Sequence, residues 1–434
     1  MKFSDLLDIV PVPGAIPASQ LLSDLSLITS ASLDLTDVPL ASSDLVELTA
    51  GYDTHRPRTV TAVVLTSNEE ERVGMCLDAL AEDVDQCLLI DSESTDGTVE
   101  QALHIRSDAR VLTAPWADDF SRQRNLAFTA VDDGWLCHVD ADEVLDPAHR
   151  GRLRRALSVL DYLLADADFV VSPTIADLGG PVYTNTQRAV RADGPFRFRG
   201  RVHEHPYAPD GRAPSRVQVD VRFDHSGYLP KVIEERGKRA LYTRLNSLAR
   251  AEEPGNPKWA FYQVRDGLEL LSASEEEVRA AFALLAAHAA DAVPAGPPGY
   301  ETERVVDSWS LLCELALGLG DAEAVRKYAA LLKVADRTVE ATYYRMLVES
   351  SGLLGRLSAL VDEITSVAAD EEPANRHLMA RLFELQSTLA LASGRYETVL
   401  PAYRESVRRG AGQSVTEDFG SLTRILAELT VRSD

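Results

Sequence analysis

Two carboxylates in "HVDADE", Asp140 and Asp142, stand one residue apart where an apolar run of Trp135, Leu136, Cys137 and Val139 ends. Side chains two apart on an extended strand share a face. Like charges so placed repel unless a hard divalent cation, Mn2+ or Mg2+, sits between them and a bound phosphate. An Asp-x-Asp also fits a solvated strand end with helix-capping acids, so the surrounding residues matter. "LLIDSES" ends a second run on Asp91 and Ser92, where an aspartate can accept hydrogen bonds from a nucleobase or ribose. "TVTAVVLTSN" ends on Thr66, Ser67 and Asn68, types that suit the rim of a nucleotide site. These residues also read as turn or cap residues. "WADDFSRQRN" supplies Arg122, Arg124 and Asn125 near a helix start, where a diphosphate is favoured.

The elements that carry these residues alternate. Residues 59–67, 86–92, 109–114 and 134–142 are short, β-branched or continuously apolar runs, as expected of strands buried on both faces. Between them, 69–83, 94–105 and 120–131 have helical spacing with capping residues at their starts. Strand and helix in alternation with short links predict a parallel sheet covered by helices, with ligands beyond the carboxyl ends of the strands. Further strand-like runs cover 168–177, 186–192 and 216–226.

This α/β segment, 58–228, is flanked on both sides. Residues 1–57 hold eight carboxylates against one lysine, with leucines recurring between Ser and Asp. That pattern predicts short capped helices in an ordered arm that docks on the rest. Residues 229–434 show apolar residues at three and four, broken near Pro254 and Pro257. "GDAEAV" at 320, "GRLSAL" at 355 and "GRYETV" at 394, with a weaker "ASEEEV" at 273, mark helix–turn–helix units of 35 to 47 residues. An array of helical hairpins of tetratricopeptide-like type is expected.

Composition narrows the partners. A chain of 434 residues with 45% apolar residues and a net charge of −24 is a multidomain globular protein. Its charge argues against nucleic acid or an acidic membrane face as the principal partner. Cys76, Cys87, Cys137 and Cys313 lack metal-ligand spacing and lie in apolar runs, as reduced core cysteines of a cytosolic protein do. The first residues carry aspartates and prolines where a signal peptide needs a basic start and an unbroken apolar run. No stretch reaches the ~18 apolar residues of a membrane span. A cytoplasmic location without an integral membrane segment is expected.

The strand-end segments, in this order, resemble the nucleotide-sugar-binding half of a family 2 glycosyltransferase of GT-A fold. The resemblance implies that Asp91 grips the base, that Asp140 meets the ribose or a water on the metal, and that Asp142 ligates the metal directly. "FDHSGY" places His225 after the last core strand, where GT-A enzymes commonly carry a further metal ligand. "GRVHEHPY" offers Glu204 as acceptor-side base, with His203 as its rival. Arg188, Arg191, Arg197, Arg199, Arg201, Arg212 and Arg216 cluster nearby, for a diphosphate or for ordinary salt bridges.

Over the whole chain the likeness is narrower. "SDLSL" and "AGYD" in the arm, then "VVSPTI", "HSGY" and "NPKW" ahead of a helical tail, resemble the sublancin-type peptide S-glycosyltransferases, the glycocin synthases. The implied activity is an inverting transfer of a sugar from a nucleotide donor, UDP-glucose or a related UDP-hexose, to a cysteine of a ribosomal precursor peptide. Glu143 after the Asp-x-Asp departs from the sublancin-type pattern and leaves the donor open. Other expectations stand beside this one: a peptide serine or threonine, a cell-envelope glycan or a lipid-linked acceptor, or a scaffold that binds partners through its helices. The helical segment is expected to dock the acceptor, to pair two copies of the chain, or both.

Overall fold

The computed structural model describes residues 1–9, 19–226, 238–270, 272–296 and 299–431. The boundary expected between 228 and 229, and the end of "HSGY", lie outside the described residues. Two compact units make up the chain, Met1–Ser308 and Trp309–Asp434.

The first unit contains twelve strands among its described residues: β1 (Ile28–Ala31), β2 (Val60–Thr66), β3 (Gln86–Asp91), β4 (Arg110–Thr113), β5 (Trp135–Asp140), β6 (Glu143–Leu145), β7 (Phe169–Asp177), β8 (Val182–Tyr183), β9 (Ala189–Arg191), β10 (Arg197–Arg199), β11 (His205–Tyr207) and β12 (Ser215–His225). Ten join one sheet in the order β1-β12-β7-β9-β5-β2-β3-β4, with β6 on β12 and β8 on β7; β10 and β11 form a separate ribbon. Successive side chains of β2 part to opposite faces. Ala62 and Val64 pack with Leu89 and Cys137, while Val63 packs with Leu88, Ile90 and Leu136. Burial on both faces explains the unbroken apolar runs.

The sheet is mixed, which corrects the expectation of a parallel one. β2 to β5 are mutually parallel, as are β7 and β12, but β9 lies antiparallel to both β5 and β7. The reason is the connection. Between Asp177 and Ala189 the chain forms the short β8 hairpin strand and no helix, and a link without a crossover returns a strand antiparallel.

The acidic arm packs on the sheet unit. Leu21, Leu22 and Leu25 share a core with Leu153 and Leu157 of the Arg152–Leu163 helix, and β1 pairs with β12. Asp24, buried, accepts hydrogen bonds from Tyr52 Oη (2.7 Å) and Arg155 Nε (2.5 Å). The helices Lys238–Glu252, Pro257–Gly267 and Glu275–Ala286 belong to this same unit. The helical segment is therefore not one body. Its first part completes the α/β unit, because Trp259 and Tyr262 bury themselves in that unit.

The second unit is helical: after the Val305–Gly318 helix come Ala322–Val334, Thr338–Val367, Arg376–Ala392, Tyr396–Arg408 and Gln413–Val431. Two of the expected turns are present. Gly320 (φ +69°) and Gly394 (φ +78°) adopt the left-handed conformation that ends a helix, and the Asp321 side chain caps the next one. The turn expected at Gly355 is absent, a correction. Thr338–Val367 runs unbroken through "GRLSAL", and a Cβ added at Gly355 would meet nothing within 4 Å. A glycine inside a helix costs only about 1 kcal/mol. Among the described residues no helix is long and apolar enough to cross a membrane. The four cysteines are buried and free.

Candidate active site

The carboxyl ends of three strands meet in register, Thr66 beside Asp91 and Leu65 beside Asp140. Strand order reverses at β2, with β3 and β4 on one side and β5 on the other. In open α/β sheets such a reversal opens the ligand crevice.

One end of the crevice is a hydrogen-bonded rim. Buried Asp91 accepts from Thr66 Oγ1 (2.8 Å), Ser94 N (2.9 Å) and Ser94 Oγ (2.6 Å). Asn68, at φ +55°, donates its N–H to Ser94 Oγ (2.9 Å) and accepts from Thr95 N (2.9 Å). Ser92 Oγ accepts from Gln123 Nε2 (2.9 Å), while Ser67 is exposed. Thr66, Asn68, Asp91 and Ser92 are thus tied together at this end through Ser94, Thr95 and Gln123.

The other end is a buried charge network. Arg124 donates from Nε to Glu204 (2.7 Å) and from Nη2 to Asp140 (2.8 Å). Arg188 Nη2 donates to the other Asp140 oxygen (2.9 Å) and to Glu143. Burial alone would raise the Asp140 carboxyl, but the two guanidiniums hold it well below the ordinary carboxylate range. Burial raises Glu143. Arg124 Nη1 and Arg188 Nε have no protein partner despite their burial, donors that an anionic ligand could use.

The Asp-x-Asp does not act as one face. β5 stops at Asp140 and residues 141–142 turn, so alternation ends between the two carboxylates. β6 then pairs with β12 and sets Glu143 opposite His225. Asp142 Oδ1 lies 3.4 Å from His225 Nε2, and Asp177 Oδ1 lies 2.7 Å from His225 Nδ1. Burial opposes charge on this ring, but hydrogen bonds with Asp142 and Asp177 outweigh it and raise the ring to about 9. Among the described residues no group of three or more His, Cys, Asp or Glu side chains is placed to hold a metal. Of the expected ligands, Asp140 faces Arg124 and Arg188, while Asp142 and His225 form a pair. That pair still fits a hard divalent ion: a carboxylate beside an imidazole whose far nitrogen is oriented by a second carboxylate.

Other expected residues serve elsewhere. Asn125 spends its amide on the Phe198 peptide, donating at 2.8 Å and accepting at 2.9 Å. Arg122 is exposed, because two residues along a helix from Arg124 face different ways. The helix start is capped by Asp119, which accepts from Arg122 N (2.9 Å). His203 stacks on Tyr262 (centroids 3.8 Å apart, 12° between planes) and contacts Asp266 (2.7 Å). Of the seven clustered arginines Arg188 alone reaches the site carboxylates in the described contacts; Arg191, for one, holds the carbonyls of Leu164, Ala165 and Ala167.

Residues 61–204 match the sequence model of glycosyl transferase family 2. Across 371 residues the chain is 29% identical to the SPbeta prophage-derived glycosyltransferase SunS of Bacillus subtilis, covering 84% of this chain and 83% of SunS. A TPR repeat-containing protein of Synechococcus elongatus is 30% identical over 33% of this chain and 34% of its own length. The structure of S. aureus TarS 1–349 aligns at 14% identity over 68% of this chain and 91% of that one, with a TM-score of 0.33 too low to carry weight.

Proposed function

We propose, from the premise that this chain is a glycosyltransferase with a family 2, GT-A-type domain, that it moves a hexose from a UDP-sugar to a cysteine thiol of a precursor peptide. Likeness to the glycosyltransferase SunS over 84% of the chain carries the acceptor assignment. One Glu204 oxygen accepts from Arg124 at 2.7 Å, which leaves the other to take a proton from the acceptor. A thiol ionises unaided near ~8.5 and asks less of its base. Likeness to the sublancin-type enzymes along most of the chain supports the same acceptor.

The residues divide the work. Thr66 and Asp91 receive the nucleoside, and the free donors of Arg124 and Arg188 receive the diphosphate. Asp142 and His225 would hold Mn2+ or Mg2+, which when bound neutralises charge on the leaving diphosphate. The acceptor sulfur attacks the anomeric carbon opposite the diphosphate. A C–S bond forms, the bond from that carbon to the phosphate oxygen breaks with its electron pair, and the thiol proton passes to Glu204 or to water.

The test is a Cys- and Gly-rich peptide and its Cys→Ser twin, each incubated with UDP-glucose and Mn2+. Mass spectrometry should find one or more hexoses on the cysteine peptide alone. Equal modification of the serine twin would refute the thiol assignment, and transfer to neither, with transfer to envelope glycans, would move the acceptor to another class.

A further inference from the structure

"NPKW" opens the Pro257–Gly267 helix, and its lysine is in the wrong place for an ordinary lysine. Asn256 caps the helix through Lys258 N (3.1 Å), Pro257 occupies the first turn, and Trp259 is buried. The Lys258 side chain is 0% exposed. Its Nζ sits 4.8 Å from the centroid of Tyr300 and 5.0 Å from that of Trp259. It donates to the backbone carbonyl of His203 (3.2 Å) and pairs with Glu303 (3.1 Å). Burial pulls the ammonium down to about 7. A buried ion pair is no better for stability than a well-packed apolar isostere. Packing therefore does not ask for a lysine here; the His203 carbonyl does.

That carbonyl belongs to a strained loop. His203 has φ +51°, a left-handed conformation that costs a non-glycine residue on the order of 1 kcal/mol. Gly200, at φ +108°, passes so close that a Cβ there would lie 3.2 Å from Trp259 and 3.5 Å from Lys258 Nζ. The His203 ring is clamped from the same helix by Tyr262 and Asp266. The next residue is Glu204, which reaches Arg124 and through it Asp140.

We propose that Lys258 is a positioning residue for Glu204, its buried ammonium holding the 200–204 loop in the shape that delivers the Glu204 carboxylate to the donor site. This rests on Glu204 being the acceptor-side base, so the experiment has one arm that does not need turnover.

The variant is Lys258→Met in the full chain, close in shape and without the donor. Hydrogen exchange across 200–207 should quicken ~10-fold or more while the sheet stays protected. With UDP-glucose and the cysteine peptide, kcat should fall ~10- to 100-fold at unchanged KM for UDP-glucose. Combined with Glu204→Gln, Lys258→Met should add less than ~2-fold, since both act through one carboxylate. Unchanged exchange, an unchanged kcat, or losses that multiply would each overturn the proposal. If Lys258→Met does not fold, Asp266→Asn loosens the same loop from its other anchor and is held to the same three outcomes. A wild-type chain that releases no UDP refutes the proposed reaction, and exchange alone then decides whether Lys258 anchors the loop.

Discussion

At the scale of single residues the site depends on which carboxylate each cation takes. Asp142 is buried against His225. Asp142→Asn should keep the fold and lower transfer ~100-fold or more. Wild-type activity lost in EDTA should return with Mn2+ or Mg2+. Full activity of Asp142→Asn in chelator would remove the metal from the mechanism. Asp266 makes a separate prediction about acid stability. Burial opposes its charge, but the His203 hydrogen bond and charge, then Arg265, hold it down to about 2 from an ordinary 3.8. The folded state lowers this carboxyl, so its stabilisation is complete above the unfolded value and is lost as pH falls through about 2. At ~1.4 kcal/mol per pH unit this is on the order of 2 kcal/mol. Urea melts of wild type and Asp266→Asn should differ by that much at pH 6 and converge near pH 2; a constant gap would assign the effect to shape rather than charge.

At the scale of elements the glycines separate turns from helix. Gly355→Ala lies within the Thr338–Val367 helix with open space around it, so it should stabilise the second unit by about 0.5–1 kcal/mol. Gly320→Ala forces a side chain into φ +69° and should destabilise it by about 1 kcal/mol. Thermal melts of both variants check the pair. Two shifts of the same sign would mean that the long helix is broken in solution. "GRLSAL" resembles "GDAEAV" and "GRYETV" as a string, but Gly320 and Gly394 take the left-handed conformation that ends a helix, while Gly355 stays helical.

At the scale of the molecule the long helix leaves an apolar stripe uncovered. Val339, Tyr343, Met346, Leu347, Leu353, Leu354 and Leu360 share one side of the helix at spacings of three, four and seven and are 37–85% exposed. From Val339 to Leu360 the stripe runs for roughly 30 Å at ~1.5 Å per residue, and a contiguous exposed apolar patch marks an interaction surface. We expect two copies of the chain to pair through it. Light scattering should give twice the 47.4 kDa of one chain, and Leu353→Glu with Leu354→Glu should return the mass to that of one chain. A wild-type monomer would leave the face to the acceptor peptide, and the double variant should then raise KM for peptide alone.

Local pattern and motif made much of this protein legible from its sequence. The apolar runs of β2, β3 and β5 and the residues that end them, Thr66, Asp91 and Asp140, follow from burial on both faces and from chain order, which are properties of neighbours along the chain. The docked arm was readable from its capped, leucine-rich segments. Tertiary structure alone decided the rest, because it depends on residues far apart in the chain. Asp140 and Asp142 separate because β5 ends between them and β6 is drawn to β12. Asp177 matters because β7 lies beside β12, 48 residues away from His225 along the chain. Arg188, one arginine among seven, is chosen by the antiparallel return that brings the β9 end of the chain beside β5. Lys258 belongs to the catalytic unit because its ammonium reaches a carbonyl 55 residues earlier, a contact that no spacing within "NPKW" could announce.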